Sequence, residues 1–209
     1  MKCRLCETRR ARRLCPGVRG EICSPCCGEH REETIDCPLD CEYLIEARKH
    51  EKQPAQDPDQ MPSRELEITE RFIQGHEELV VASGRALLEA VIETPGSVDS
   101  DAREALDALV RTLKTRESGL VYETRPNNPI AAGIQQRFQQ KMDDFQKRLQ
   151  QKLGMTTIRD ADLLGVLVFL QRIEFTRNNG RKKGRAFVSF LGSNFAGLPR
   201  SEPEPRIIV

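Results

Sequence analysis

All 8 cysteines of this 209-residue chain fall within its first 41 positions, in the order Cys3, Cys6, Cys15, Cys23, Cys26, Cys27, Cys37 and Cys41, with His30 among them. No periodic apolar pattern accompanies them. A segment this short and this polar cannot fold on apolar burial alone, so something must cross-link it. The choice lies between disulfides and metal. Stable disulfides need an oxidising compartment. The N-terminus has charges but no apolar stretch of a secretory leader, and no apolar run reaches the ~18 residues of a membrane span. The expectation is an intracellular, cytoplasmic protein with no membrane partner, whose cysteines ligate metal.

The spacing says how. Cys3-x2-Cys6 and Cys23-x2-Cys26 are two short knuckles separated by 16 residues. A Cys-x2-Cys turn points two thiolates at one ion, and two such turns complete the tetrahedron of a structural zinc site. Cys15, Cys27, Cys37 and Cys41 remain for a second zinc that interleaves with the first. Cys26 and Cys27 are adjacent, so their side chains can diverge to different ions. His30 is the alternative to Cys27 in the second site. The competing reading is one zinc and four unligated thiols.

This interleaved order over residues 3–41 resembles the cross-braced treble-clef zinc fingers, such as the HIT and MYND types and, more distantly, RING. The resemblance implies a zinc-stabilised protein-interaction module.

Beyond the cysteines the sequence reads as helical. Residues 1–50 form the cysteine-rich module, with a short charged helix at its end, and the Pro-rich stretch 51–63 reads as a linker. Apolar residues recur at helical spacing over 65–93, from Asp99 to about Glu117, over 129–153 and from Asp160 to about Phe175. Thr157-x-x-Asp160 has the form of a capping box at the start of the last of these. Residues 186–191 suit either a strand or a closing helix, and 196–209 read as a flexible tail. The expected fold class is mostly α, a small zinc-stabilised N-terminal module plus a C-terminal helical domain of about four helices over 64–195. The stripe along 129–153 suits packing within the chain, or a homodimer through that helix.

The net charge of +1 hides an asymmetry. Residues 51–125 hold 9 Lys and Arg against 16 Asp and Glu, whereas 126–209 hold 14 against 7. Two basic clusters stand out. Arg9, Arg10, Arg12 and Arg13 lie between the first knuckle and Cys15, where they serve either to contact phosphate or to offset the thiolates. Arg177, Arg181, Lys182, Lys183 and Arg185 crowd a Gly-containing loop, which suits nucleic acid or another anion, open solvent, or docking on the acidic middle segment. His76 and Glu77 lack the second His of a zinc-protease helix and read as a solvated face. No phosphate-binding Gly loop or nucleophile elbow occurs, and a closed site of four thiolates leaves no coordination position for a substrate. The sequence therefore points to a non-enzymatic zinc protein, with zinc structural and two per chain, that binds another protein. Two alternatives stand beside it, a nucleic-acid-associated regulatory factor and a zinc-thiolate redox sensor.

Overall fold

The computed structural model describes residues 1–52, 54, 56–154 and 158–196. Thr157 and the tail from 197 lie outside these residues, and with them the capping-box expectation. The cysteine-rich N-terminal region, residues 1–50 and called the finger below, contains an antiparallel hairpin, β1 (Arg13–Cys15) and β2 (Gly20–Ile22), in which Arg13 faces Ile22 and Cys15 faces Gly20. A single turn at Pro16–Val18 joins the strands, and Arg19 closes it in the left-handed region at φ 52°. Two short helices follow, α1 (Ser24–His30) and α2 (Glu42–Lys49).

Six helices build the body: α3 (Glu70–Gly75), α4 (Glu77–Ile92), α5 (Asp99–Glu117), α6 (Pro129–Leu153), α7 (Asp160–Arg177) and α8 (Ala186–Phe195). The mostly helical class is as the sequence implies. Six helices stand where about four were expected, for two reasons. The apolar pattern over 65–93 is broken at His76, which has φ −124° and ψ 26° and whose Nδ1 lies 2.8 Å from the Phe72 carbonyl. Thr69 caps the shorter piece, its hydroxyl accepting from the Phe72 amide at 3.1 Å. The segment from 186 is a helix and not a strand.

α5 packs on α6 and α7, and α4 packs on α6 and α8. The first half of the α6 stripe lies inside the chain, where Ile134, Phe138 and Met142 are buried beside Leu106 and Leu167. Two pairs of helices, α4 with α8 and α3 with α7, meet closely enough to require glycine. A Cβ on Gly84 would lie 2.6 Å from the Phe195 ring, and one on Gly165 would lie 2.4 Å from Phe72. No helix among the described residues is long and apolar enough to cross a membrane.

α8 borrows its cap. Its own first residues supply no capping side chain. Instead, the buried carboxylate of Asp99 accepts from the Phe187 and Val188 amides at 3.0 and 3.1 Å, while the Asp99 amide donates to the Gly184 carbonyl. Asp99 and Ser100 are the residues whose type and position suit a cap for α5, but that role falls to Asp101, which accepts from the Val98 amide at 2.9 Å. Burial pushes the Asp99 carboxyl from 3.8 up to about 7, against the two amides that favour its ionised form.

Two predictions follow from this packing. Ala is favoured over Gly in a helix by ~1 kcal/mol, but overpacking costs roughly 1–3 kcal/mol. Gly84→Ala should therefore lower the urea midpoint, whereas Gly192→Ala, which meets nothing within 4 Å, should raise it. For Asp99, the folded value stands above the unfolded one. Its contribution to stability is full below about pH 4 and is lost as pH rises through about 7. Unfolding free energies measured from pH 4 to 8 should thus fall more steeply in the wild type than in Asp99→Asn.

Candidate metal centre

The first four thiols meet in the finger because backbone hydrogen bonds curl each knuckle. The Cys3 carbonyl accepts from the Glu7 amide at 2.8 Å, and the Cys3 amide donates to the Arg9 carbonyl at 2.8 Å. On the other side Cys23 is the residue before α1, and its carbonyl accepts from the Cys27 amide. Cys26 thereby sits in the first turn of α1, facing back toward Cys23. The sulfurs of Cys3, Cys6, Cys23 and Cys26 all lie within 4.8 Å of one another, and those of Cys6 and Cys23 are 4.0 Å apart. A tetrahedron with Zn–S arms of ~2.3 Å has edges of about 3.8 Å. Donor type and spacing both fit zinc. Three of the four residues are buried and Cys6 is half-buried.

The four thiols do not share their protons evenly. The Thr8 hydroxyl, followed by the Arg9 and Thr8 amides, brings Cys6 down to about 5. Hydrogen bonding with Cys23, followed by burial, pushes Cys26 up to about 12. Four like charges this close cannot coexist unaided. A zinc ion held there would supply the compensating charge, and its binding free energy would then be folding free energy for the segment.

The other four cysteines are arranged differently. Cys15, Cys27, Cys37 and Cys41 all line one cavity of about 10 Å³, beside Ile22 and Leu44. That is room for about one water-sized sphere. Their sulfurs are not drawn to within 4.8 Å of one another as the first four are. Burial raises the Cys37 thiol, with Glu32, Cys15 and Cys41 adding to it, although the Glu32 backbone pulls the other way. His30 lies on the other side, with Cys26 and Glu29, and is not among the residues around this cavity. Its Nδ1 is 2.9 Å from the Thr34 hydroxyl.

The basic residues divide, with Arg9, Arg10, Arg12, Arg177 and Lys182 exposed and Arg13, Arg181, Lys183 and Arg185 half-buried. Arg9 is held to Cys23, which raises its own pKa. Arg13 donates to Cys27 Sγ at 3.3 Å and stacks over Tyr43. Arg10 and Arg12 are exposed. In the second cluster, Arg181 donates to the Arg31 carbonyl at 2.6 Å, Lys183 Nζ to the Thr34 carbonyl at 3.1 Å, and Arg185 Nη1 to Asp36 at 2.6 Å. Arg177 stacks on Phe190, and Lys182 is exposed. The loop therefore grips the finger, and the partner considered for it, the acidic middle segment, supplies Glu51 and the Ser97 carbonyl.

At the centre of this contact is Glu32, a residue with no sequence signal. It is wholly buried. Its Oε1 accepts from Arg48 at 2.7 Å and from the Arg185 amide at 2.9 Å, its Oε2 accepts from Asn179 at 2.9 Å, and its carbonyl accepts from the Lys183 amide at 2.7 Å. Arg48 is held by this one nitrogen, since its Nε and Nη1 are buried with no hydrogen-bond partner.

Comparison with protein-family models, with curated proteins and with solved structures gave no match for this chain. The thiol cluster itself makes a firm prediction. Cys6→Ser should remove one equivalent of zinc by elemental analysis and open residues 1–30 to protease, with most helical circular dichroism retained because α4–α8 share a separate apolar core.

Proposed function

We propose that the chain is a non-enzymatic two-zinc protein whose finger and helical body together form a docking unit for another protein. The observation that carries this reading is the four-thiol cluster of Cys3, Cys6, Cys23 and Cys26, which has the donor set and edge lengths of a closed tetrahedral site. A closed site stabilises a fold and offers no open position for catalysis. The second zinc takes Cys15, Cys27, Cys37 and Cys41, supported by their shared cavity and by Arg13 and Arg31 directed at the Cys27 sulfur.

The docking role is supported by what the finger leaves outside. Leu14 on β1 and Ile45 on α2 are exposed, as are Met1 and, to a lesser degree, Leu5. Apolar side chains displayed on a small metal-stabilised scaffold suit a protein partner. The carboxylates lining a cleft of about 360 Å³ between residues 56–62 and the body are already engaged: Glu174 with Arg103 at 2.9 Å and Asp107 with Gln171 at 2.6 Å. Five of the nine basic side chains considered for nucleic acid are directed at thiols, carbonyls or a carboxylate of the chain itself, which favours a protein partner over an anionic polymer.

Metal content is the direct test. Purified protein should carry two zinc ions per chain. Cobalt replacement should give thiolate-to-metal charge-transfer bands that grow through the second equivalent. A single equivalent would refute the two-zinc reading.

A further inference from the structure

Residues 31–37 join Cys27 to Cys37, two of the four thiols around the second cavity. This segment has few hydrogen bonds of its own beyond a turn in which the Glu33, Thr34 and Ile35 amides share the His30 carbonyl. Glu32 stands in the left-handed region at φ 52°. For a residue with a Cβ that conformation is unfavourable, and it persists only where surrounding contacts over-determine it.

Those contacts come from the helical body. The loop after α7 runs alongside the segment and binds it at nearly every residue. Arg181 takes the Arg31 carbonyl, and the Lys183 amide takes the Glu32 carbonyl. Asn179 and the Arg185 amide take the Glu32 carboxylate, and Lys183 Nζ takes the Thr34 carbonyl. The Arg185 guanidinium takes both Asp36 at 2.6 Å and the carbonyl of Cys37 itself at 3.2 Å.

The body's half of this contact is rigidly built. The Asn178 amide group donates to Glu174 at 2.6 Å, and Asn178 and Asn179 accept from the amides two residues on. The Gly184 carbonyl is held by Asp99, and Arg185 Nε donates to the Ser97 carbonyl at 2.9 Å. Both knuckles of the first thiol cluster are instead closed by hydrogen bonds within the finger.

We propose that the helical body positions the second metal site, with Arg185 and Glu32 holding Cys37 against Cys15, Cys27 and Cys41, so that metal binding there and docking of loop 178–185 stabilise each other. The proposal rests on the two-zinc reading above. Coupling of this kind is reciprocal: whatever the docked loop adds to metal affinity, the metal adds to docking.

The test uses the full chain loaded with zinc and a chromogenic chelator in excess. Wild type, Arg185→Ala, Arg185→Lys and Glu32→Gln are compared by the rates at which zinc is released. Two release phases are expected in the wild type. In Arg185→Ala and Glu32→Gln one phase should accelerate about tenfold or more, the effect of losing a charge-assisted hydrogen bond, while the other keeps its rate. Arg185→Lys should recover part of the loss. Conversely, Cys37→Ser should speed amide hydrogen exchange in residues 180–185 and leave α6 unchanged. A wild type holding a single zinc would remove the two-zinc reading itself. Two zinc ions with unchanged rates in every variant, or with both phases accelerated equally, would overturn the positioning role while leaving that reading intact.

Discussion

The finger has too little apolar substance to hold its own shape. Its interior is Ile22, Ile35 and Leu44 surrounded by cysteines, so thiols occupy the places that leucines and phenylalanines fill in the body. A thiol is a small apolar group when protonated and a costly buried charge when ionised. The shifts of Cys6 and Cys26 in opposite directions show that conflict inside one cluster. Only a cation at the centre reconciles four ionised sulfurs with burial. The turn at Cys3–Glu7 and the start of α1 bring the four sulfurs to where such a cation would sit.

The body follows the opposite logic and folds around an apolar core shared by α4–α8. The two regions are nevertheless joined by more than the linker. Polar contacts centred on Glu32, together with Leu39 packed against the body's core, set the finger on the loop between α7 and α8. A buried carboxylate that accepts from one backbone amide, an asparagine and an arginine gives the contact direction as well as energy, because each partner must arrive at its own lone pair.

What could be read in the sequence was what repeats or what is chemically rare. The 3.6-residue pattern located α5, α6 and α7, and the Cys-x2-Cys spacing located the first four thiols, since cysteine is scarce and its spacing is geometric. Glu32 was not legible. It is one of 32 acidic residues, and nothing local distinguishes it from its solvated neighbour Glu33. Its burial depends on residues about 150 positions away. The same holds for Asp99, whose position suggested a local cap and whose carboxylate serves a distant helix. The break at His76 was hidden because α3 and α4 continue one apolar face, and the interruption arises from a side-chain contact to the Phe72 carbonyl.

The separation between Glu32 and its partners has a consequence for how the protein comes into being. Asn179 and Arg185 lie 147 and 153 residues further along the chain. On the ribosome the knuckles can close around a metal as soon as they emerge. The stretch between Cys27 and Cys37 must instead wait until the body through Arg185 has been made. A chain interrupted before residue 185 would lack the side chain that holds Asp36 and the Cys37 carbonyl, and α8 with it.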